Sequence, residues 1–110
     1  MITDYLKQLL VVGAYNYGRN IMPYIEGSER VDVDAAIYSL LDYMEWCGCT
    51  PGILNYIITR IINQYVNTKG KNYTHINDAI GVLEATKQEY YRRVVADYEQ
   101  KKMETNGDVF

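Results

Sequence analysis

The stretch Thr74–Asn106, THINDAIGVLEATKQEYYRRVVADYEQKKMETN, decides the fold of this 110-residue chain. It contains no proline, and Gly81 is its only glycine. Apolar and aromatic side chains recur at spacings that place them on one face of an α-helix, namely Ile76, Ile80, Leu83, Tyr90, Val94 and Tyr98. Thr74 suits a helix N-cap, and Asn106 followed by Gly107 is typical of a helix C-terminus. The stretch therefore predicts one long C-terminal helix.

Three shorter helices are predicted before this one. The first runs from Thr3 to about Gly18. The second begins after a loop over residues 21–31, with Asp32 as its N-cap, and stops at Gly48. Its predicted core face consists of Val33, Ile37, Leu40, Leu41 and Met44.

The third helix has an explicit start. Thr50 followed by Pro51 is the pairing of an N-cap with a first-turn proline. A turn over residues 67–73, around Gly70, separates this helix from the last one. The predicted core face of the third helix consists of Leu54, Ile57, Ile58, Ile61, Ile62 and Tyr65, with Tyr56, Thr59 and Asn63 on the opposite, polar side.

Length and composition fit a single domain over residues 1–110. Apolar residues make up 48% of the chain and charged residues 23%, which is the composition of a globular protein. No segment alternates like a strand. We expect an all-α fold, a small bundle of about four helices with one long C-terminal helix. Such a short chain with apolar side chains on several helix faces is also expected to form homo-oligomers.

Charge and hydropathy exclude several function classes. The net charge of −3 and the pI near 5.0 argue against binding DNA or RNA, which requires many cations opposite phosphates. No apolar run approaches the roughly 20 residues of a membrane span. Asp4 lies where a secretory signal would be basic. The expected location is the cytoplasm, without a membrane partner.

Metal and redox chemistry are not predicted. Cys47 and Cys49 are the only cysteines, and they are too close in sequence to close a stabilising loop, so we interpret them as free thiols. His75 is the only histidine, which leaves a zinc site short of ligands. We therefore expect neither a metal nor a cofactor.

Lys87 interrupts the apolar stripe of the last helix. Its stem can pack while its ammonium reaches water or pairs with a carboxylate such as Glu84. It can also bind a phosphate or carboxylate in a pocket between helices. Gly81 has a similar pair of interpretations, because glycine inside a helix allows the close approach of either a second helix or a ligand.

Arg92 and Arg93 also have two interpretations. They can pair with the nearby acids Glu89 or Asp97, as most helical arginines do. Alternatively they can hold a phosphate, with Tyr90, Tyr91 or Tyr98 offering a face to a base. The chain has twelve tyrosines against one phenylalanine and one tryptophan. Tyrosine suits wet interfaces and base stacking, although tyrosines that fill helix seams account for many of them.

Enzyme signatures are absent from the sequence. It has no glycine-rich phosphate loop, no G-x-S-x-G elbow, no H-E-x-x-H motif and no second histidine for a proton relay. We therefore do not predict an enzyme.

Four segments together resemble a family of small uncharacterised proteins of tailed bacteriophages and prophages. They are MPYI at Met22–Ile25, LNYIITR at Leu54–Arg60, INDAIGVLEATKQEYYRRVVADYE at Ile76–Glu99 and NGDVF at Asn106–Phe110. Members of the family typically begin near MPYI. The resemblance implies a family core over residues 22–110 and an N-terminal helical extension over residues 1–21, with Met22 as an alternative start. Asp97 stands where the family commonly has proline, which allows the helix to continue here.

The resemblance implies a viral setting inside a host bacterium but no settled activity. By analogy with compact phage oligomers that sequester nucleotide signals of bacterial immunity, the expected function is a non-enzymatic sponge for a cyclic nucleotide or ADP-ribose-type ligand. The implied ligand-binding residues are Asn55, Tyr56, Thr59, Arg60, Lys87, Tyr91, Arg92 and Arg93. The alternative is a protein-interaction module that inhibits a host protein or scaffolds a phage assembly.

Overall fold

The computed structural model describes residues 21–110, and this part of the chain is helical without any strand. It contains α1 (Gly27–Cys47), α2 (Pro51–Lys69) and a last helix made of three segments. These segments are α3 (Tyr73–Tyr90), a π-helical turn (Tyr91–Val95) and α4 (Ala96–Asn106). The all-α prediction is confirmed. The structure describes three helices, and the predicted helix over Thr3–Gly18 lies outside the described residues.

The described residues fall into two compact units. One is Pro23–Ala79, which holds α1, α2 and the first two turns of α3. The other contains Met22 and Ile80–Phe110, and therefore most of the last helix and the C-terminal tail. The predicted single domain over residues 1–110 stays a prediction.

Helix α1 begins earlier than predicted. It starts at Gly27, so residues 27–31 are helical and Asp32 lies inside the helix instead of capping it. The Glu26 carbonyl oxygen accepts the first bonds, from the N–H groups of Glu29 and Arg30 at 3.1 Å each. The Arg30 side chain also donates from Nε to the Ile25 carbonyl oxygen at 2.9 Å. These local bonds, with an acidic residue in the first turn, stabilise a helix start without an N-cap side chain.

The connection from α1 to α2 confirms the sequence prediction. Gly48 follows α1 in the left-handed conformation, with φ 61° and ψ 48°, and its N–H donates to the Met44 carbonyl oxygen. Thr50 caps α2, because its Oγ1 accepts a bond from the Ile53 N–H at 3.3 Å. Pro51 opens the helix. Cys47 and Cys49 are free thiols.

The last helix is capped by Asn72, not by Thr74 as predicted. Asn72 Oδ1 accepts a bond from the His75 N–H at 2.9 Å, and its carbonyl oxygen accepts one from the Ile76 N–H at 3.0 Å. Asparagine is at least as good an N-cap as threonine. The turn between α2 and the last helix is also shorter than predicted, because α2 continues to Lys69. Gly70 ends α2 with φ 107°.

A π turn interrupts the last helix at Tyr91–Val95. The sequence predicted a continuous helix there, and the helix does continue through Asp97 to Asn106. Gly107 then ends it with φ 93°, and its N–H donates to the Met103 carbonyl oxygen at 2.8 Å. The predicted end is therefore confirmed, although ψ 153° is extended and not left-handed helical.

The burial of side chains differs most from prediction. Helices α1 and α2 contain no buried residue, so their predicted core faces are at most half-buried. In the last helix the described buried residues are Asp78, Ala79, Ala85 and Gln88. Asp78, Ala85 and Gln88 lie on the side opposite the predicted apolar face, and Ala79 lies at its edge. The apolar face itself is exposed except at half-buried Leu83. Small side chains allow closer approach than isoleucine or tyrosine, so the buried side of this helix is not its most hydrophobic side.

Candidate ligand-binding site

Four of the implied site residues form two hydrogen-bonded pairs on the exposed side of α2. Thr59 Oγ1 donates to Asn55 Oδ1 at 3.0 Å. Arg60 Nη1 donates to Tyr56 Oη at 3.0 Å, and its guanidinium carbon lies 5.8 Å from the centroid of the Tyr56 ring. Each pair is spaced i, i+4, as expected for neighbours on a helix surface. The result is a polar patch with one cation already placed beside an aromatic ring.

Lys87 pairs with a carboxylate, which is the first of its two interpretations. Its Nζ lies 3.3 Å from Glu84 Oε1, while 62% of the lysine side chain remains exposed. Gln88 Nε2 donates to the same Glu84 oxygen at 3.0 Å. Gln88 is one of two buried polar residues within residues 21–110, and its amide orients Glu84 toward Lys87 from the inner side of the helix.

These contacts set the protonation of Glu84. The largest effect on its pKa is the hydrogen bond from Gln88, which lowers the pKa. Partial burial raises the pKa, and the hydrogen bond and charge of Lys87 lower it further. The pKa of Glu84 consequently lies below its ordinary value of 4.5. Near neutral pH the glutamate is ionised and partly neutralises the lysine.

The π turn carries Tyr91, Arg92 and Arg93. Arg92 makes a two-pronged contact with Glu89, from Nη2 to Oε1 at 2.6 Å and from Nε to Oε2 at 3.4 Å. This pairing was one of the two interpretations of Arg92. Arg93 is exposed, and its side chain makes no hydrogen bond or ion pair within residues 21–110. The predicted alternative partner Asp97 instead pairs with Lys101 at 3.2 Å.

An open groove of about 480 Å³ lies between α4 and the C-terminal tail. Tyr91 lines it and donates from its hydroxyl toward both Glu99 carboxylate oxygens at 3.3 Å. Lys102 also lines the groove, with its Nζ 5.5 Å from the centroid of the Tyr98 ring. Asp108 adds a second carboxylate. With two carboxylates and one ammonium, the groove does not have the charge of a polyanion site.

The structure separates the predicted site residues into two sets. Asn55, Tyr56, Thr59 and Arg60 belong to the unit Pro23–Ala79, whereas Lys87, Tyr91, Arg92 and Arg93 belong to Ile80–Phe110. Within the second set only Tyr91 reaches the groove.

Sequence reasoning missed three residues of the second unit. It did not select Gln88, Glu99 or Lys102. The spacing of Gln88 four residues after Glu84 was an available signal, because such pairs are neighbours on a helix. For the groove residues the signal was the distinctive ending at Asn106–Phe110, whose last residues line the groove.

Two further properties concern the described residues alone. None of the helices within residues 21–110 has both the length and the apolar character of a membrane span. In the same part of the chain, no three His, Cys, Asp or Glu residues come together in a group suited to a metal ion.

The sequence matches one family, a domain of unknown function (DUF6899), over residues 22–109. This chain belongs to the DUF6899 family. The DUF6899 match includes all three described helices and every candidate residue discussed above. The family description names no activity. No curated protein and no solved structure matches the chain.

Proposed function

We propose that this DUF6899 protein is a non-enzymatic binding protein of a tailed phage or prophage. It captures a nucleotide-type immune signal, a cyclic nucleotide or an ADP-ribose-type molecule, in the cytoplasm of the host bacterium. It works as a homo-oligomer, and its ligand contacts come from Lys87 and the π turn, with the polar patch of α2 as a second contact surface.

One observation carries this proposal. The Arg93 guanidinium is exposed and has no ion-pair partner within residues 21–110, and it lies on a π turn beside exposed Tyr90 and Tyr91. A guanidinium without a carboxylate partner binds a phosphate without first breaking an ion pair, and a tyrosine ring offers a face to a base. Single π turns within α-helices are frequent at functional sites.

A ligand phosphate is expected to bind Lys87 and Arg92 less readily than Arg93. Lys87 and Arg92 are paired with Glu84 and Glu89, so a ligand phosphate must compete with these carboxylates. We therefore expect Arg93 to contribute more to the affinity than either of them.

Isothermal titration calorimetry tests the proposal against a panel of cyclic dinucleotides, cyclic trinucleotides and cyclic ADP-ribose isomers. We expect one class to bind, and Arg93→Gln to weaken its affinity by about tenfold or more, the effect of losing a charge-assisted contact. Lys71→Gln is the matched control, because it removes one exposed positive charge outside the site, and it should change the affinity less than twofold. Absence of heat across the whole panel, with folded protein, would refute the proposal.

A second function is favoured by a different observation. Large apolar and aromatic side chains are exposed along α1 and α2, including Val31, Tyr38, Trp46, Tyr56 and Ile61. Exposed apolar patches of this kind mark protein interaction sites. The protein would then inhibit a host protein or scaffold a phage assembly. Recovery of one stoichiometric host partner, lost in Trp46→Ala but retained in Arg93→Gln, would favour this function over nucleotide capture.

A further inference from the structure

A coiled-coil repeat runs along the exposed side of the last helix. Starting at Tyr73, positions that are apolar or aromatic, except for Lys87, recur with alternating spacings of three and four residues, as at the a and d positions of a heptad. We call this row the seam. It consists of Tyr73, Ile76, Ile80, Leu83, Lys87, Tyr90 and Val94.

The seam is open in the structure. Its tyrosine, isoleucine and valine side chains are between 40% and 82% exposed, and only Leu83 is half-buried. The buried side of the same helix carries Asp78, Ala79, Ala85 and Gln88. A helix that buries small and polar residues while exposing a regular apolar row has a further apolar contact to make.

We infer that the seam pairs with the seam of a second copy of this chain, antiparallel and around a two-fold axis near Ala85. In this register Ile76 lies opposite Val94 of the partner subunit, Ile80 opposite Tyr90 of the partner subunit, and Leu83 opposite Lys87 of the partner subunit. Each of these three pairs of residue numbers has the same sum, so six of the seven seam residues are self-complementary, as an isologous interface requires. Tyr73 faces the position that follows Val94 of the partner subunit. The inference rests on the homo-oligomer of the proposed function but not on its ligand.

The charge of Lys87 favours antiparallel over parallel pairing of the two helices. A parallel pair would place Lys87 against Lys87 of the partner subunit, which brings two ammonium groups together at one apolar layer. In the antiparallel pair each Lys87 lies opposite Leu83 of the partner subunit, so the two ammonium groups occupy different layers. Two Lys87 and two Glu84 side chains then lie near the axis, where their positive and negative charges balance. Within one chain Lys87 Nζ already lies 3.3 Å from Glu84 Oε1, so the acid is oriented for this arrangement.

The exposed area is of the size needed for a modest interface. Fully burying a tyrosine removes about 150–250 Å² from water, and an aliphatic side chain roughly 60–120 Å². Since about half of this area is still open, the seam side chains offer roughly 300–600 Å² per chain, before flanking residues are counted. A stable complex buries about 800 Å² per partner. We therefore expect an assembly that dissociates on dilution.

The π turn continues the seam. In an uninterrupted α-helix the next seam position after Val94 would be Asp97. Because a π turn contains one residue more than an α turn, this position goes to Tyr98, which is 59% exposed. The turn therefore keeps a carboxylate out of the apolar row and replaces it with an aromatic ring.

Spin-label distances test the direction directly. The full chain carries Cys47→Ser and Cys49→Ser, with a label at Thr86→Cys or at Lys101→Cys. An antiparallel pair centred near Ala85 separates the two labels at position 101 by about 45 Å along the axis and those at position 86 by only about 3 Å, from the 1.5 Å rise per residue. Short distances at both positions would indicate a parallel pair and overturn the inference, as would a monomer at 100-micromolar scale in light scattering.

A matched pair of lysines tests the seam itself. Lys87 and Lys101 are similarly exposed, at 62% and 72% of the side chain, and each pairs with an acid on its own helix. Lys87→Leu should tighten self-association by about tenfold, because it completes the apolar row, whereas Lys101→Leu should change it less than threefold. Equal effects of the two substitutions would contradict the seam. If Lys87→Leu tightens association while the native chain binds no nucleotide, the interface stands and the proposed ligand falls.

Discussion

The backbone N–H of Ala96 donates to the carbonyl oxygen of Tyr91, five residues earlier. This bond defines the π turn, and it lies beside Arg92 and Arg93, the residues most distinctive of the sequence. A π turn within an α-helix accommodates one extra residue and is frequently found at functional sites. The extra residue changes the direction of every side chain in α4 relative to those of α3.

Deleting Val95 is expected to convert the π turn into an α turn. Because an α-helix has better hydrogen-bond geometry, we expect the free energy of unfolding to stay the same or rise by up to about 1 kcal/mol. Tyr98 then becomes the third residue after Val94 and should stay in the seam, so self-association should not change. Thermal denaturation and light scattering measure the two effects. A loss of stability above about 1 kcal/mol would mean that the packing of α4 requires the π turn.

Two glycines are expected to respond oppositely to alanine. Gly48 has φ 61°, where a Cβ is strained, so Gly48→Ala should lower the free energy of unfolding by about 1 kcal/mol. Gly27 begins α1 without a positive φ, and a methyl group added there would meet no other atom within 4 Å. Gly27→Ala should therefore raise the free energy of unfolding by about 0.4–1 kcal/mol. Urea denaturation of both variants measures this difference, and a destabilised Gly27→Ala would contradict the start of α1 at that residue.

The side-chain cap of α2 by Thr50 is expected to stabilise the protein. Thr50→Ala removes the acceptor of the Ile53 N–H and should cost about 1 kcal/mol. Thr68→Ala lies in the same helix, away from its first turn, and should stay within about 0.5 kcal/mol of the parent. Chemical denaturation compares the two. If both substitutions cost the same, the cap bond does not stabilise the helix.

The glutamate at position 84 should titrate in a predictable direction. Its pKa is lowered chiefly by the Gln88 hydrogen bond. We expect Gln88→Met, which cannot donate that bond, to raise the Glu84 pKa toward 4.5 in an NMR titration of the carboxyl carbon. Gln100→Met removes a comparable bond to Glu104 and should leave the Glu84 pKa unchanged.

The sign of the linked stability follows from this direction. A carboxyl whose pKa is lower in the folded state stabilises the fold fully above about pH 4.5, and this contribution is lost as the pH falls through the lower, folded value. Glu84→Gln should therefore destabilise the protein more at about pH 7 than at about pH 3. An equal effect at both pH values would show that the ionised carboxylate does not contribute.

Local chemistry made part of the fold predictable from sequence. Gly48, Thr50 and Gly107 act through their own backbone or through a neighbour within four residues, and the structure confirms all three boundaries. The start of α1 was missed because it depends on an arginine side chain and not on a cap residue. The buried face of the last helix was missed because it depends on what packs there.

The same distinction applies to the candidate site. The pairs of Lys87 with Glu84 and Arg92 with Glu89 are spaced i, i+3, so they were among the alternatives that the sequence offered. The contact of Tyr91 with Glu99 spans eight residues across a π turn. No helical spacing rule predicts it, and the groove beside it was therefore not foreseen.

Trp46 gives the chain an intrinsic optical reporter. It is the single tryptophan, 83% exposed, with its ring centroid 6.1 Å from that of Tyr43 near the end of α1. Its fluorescence in the free protein should therefore resemble that of an indole in water. Any partner that covers the end of α1 would shift this emission to shorter wavelength, whereas events confined to the seam would leave it unchanged. Comparing the emission of the free and the bound protein thus distinguishes binding at the end of α1 from binding at the seam, without any label.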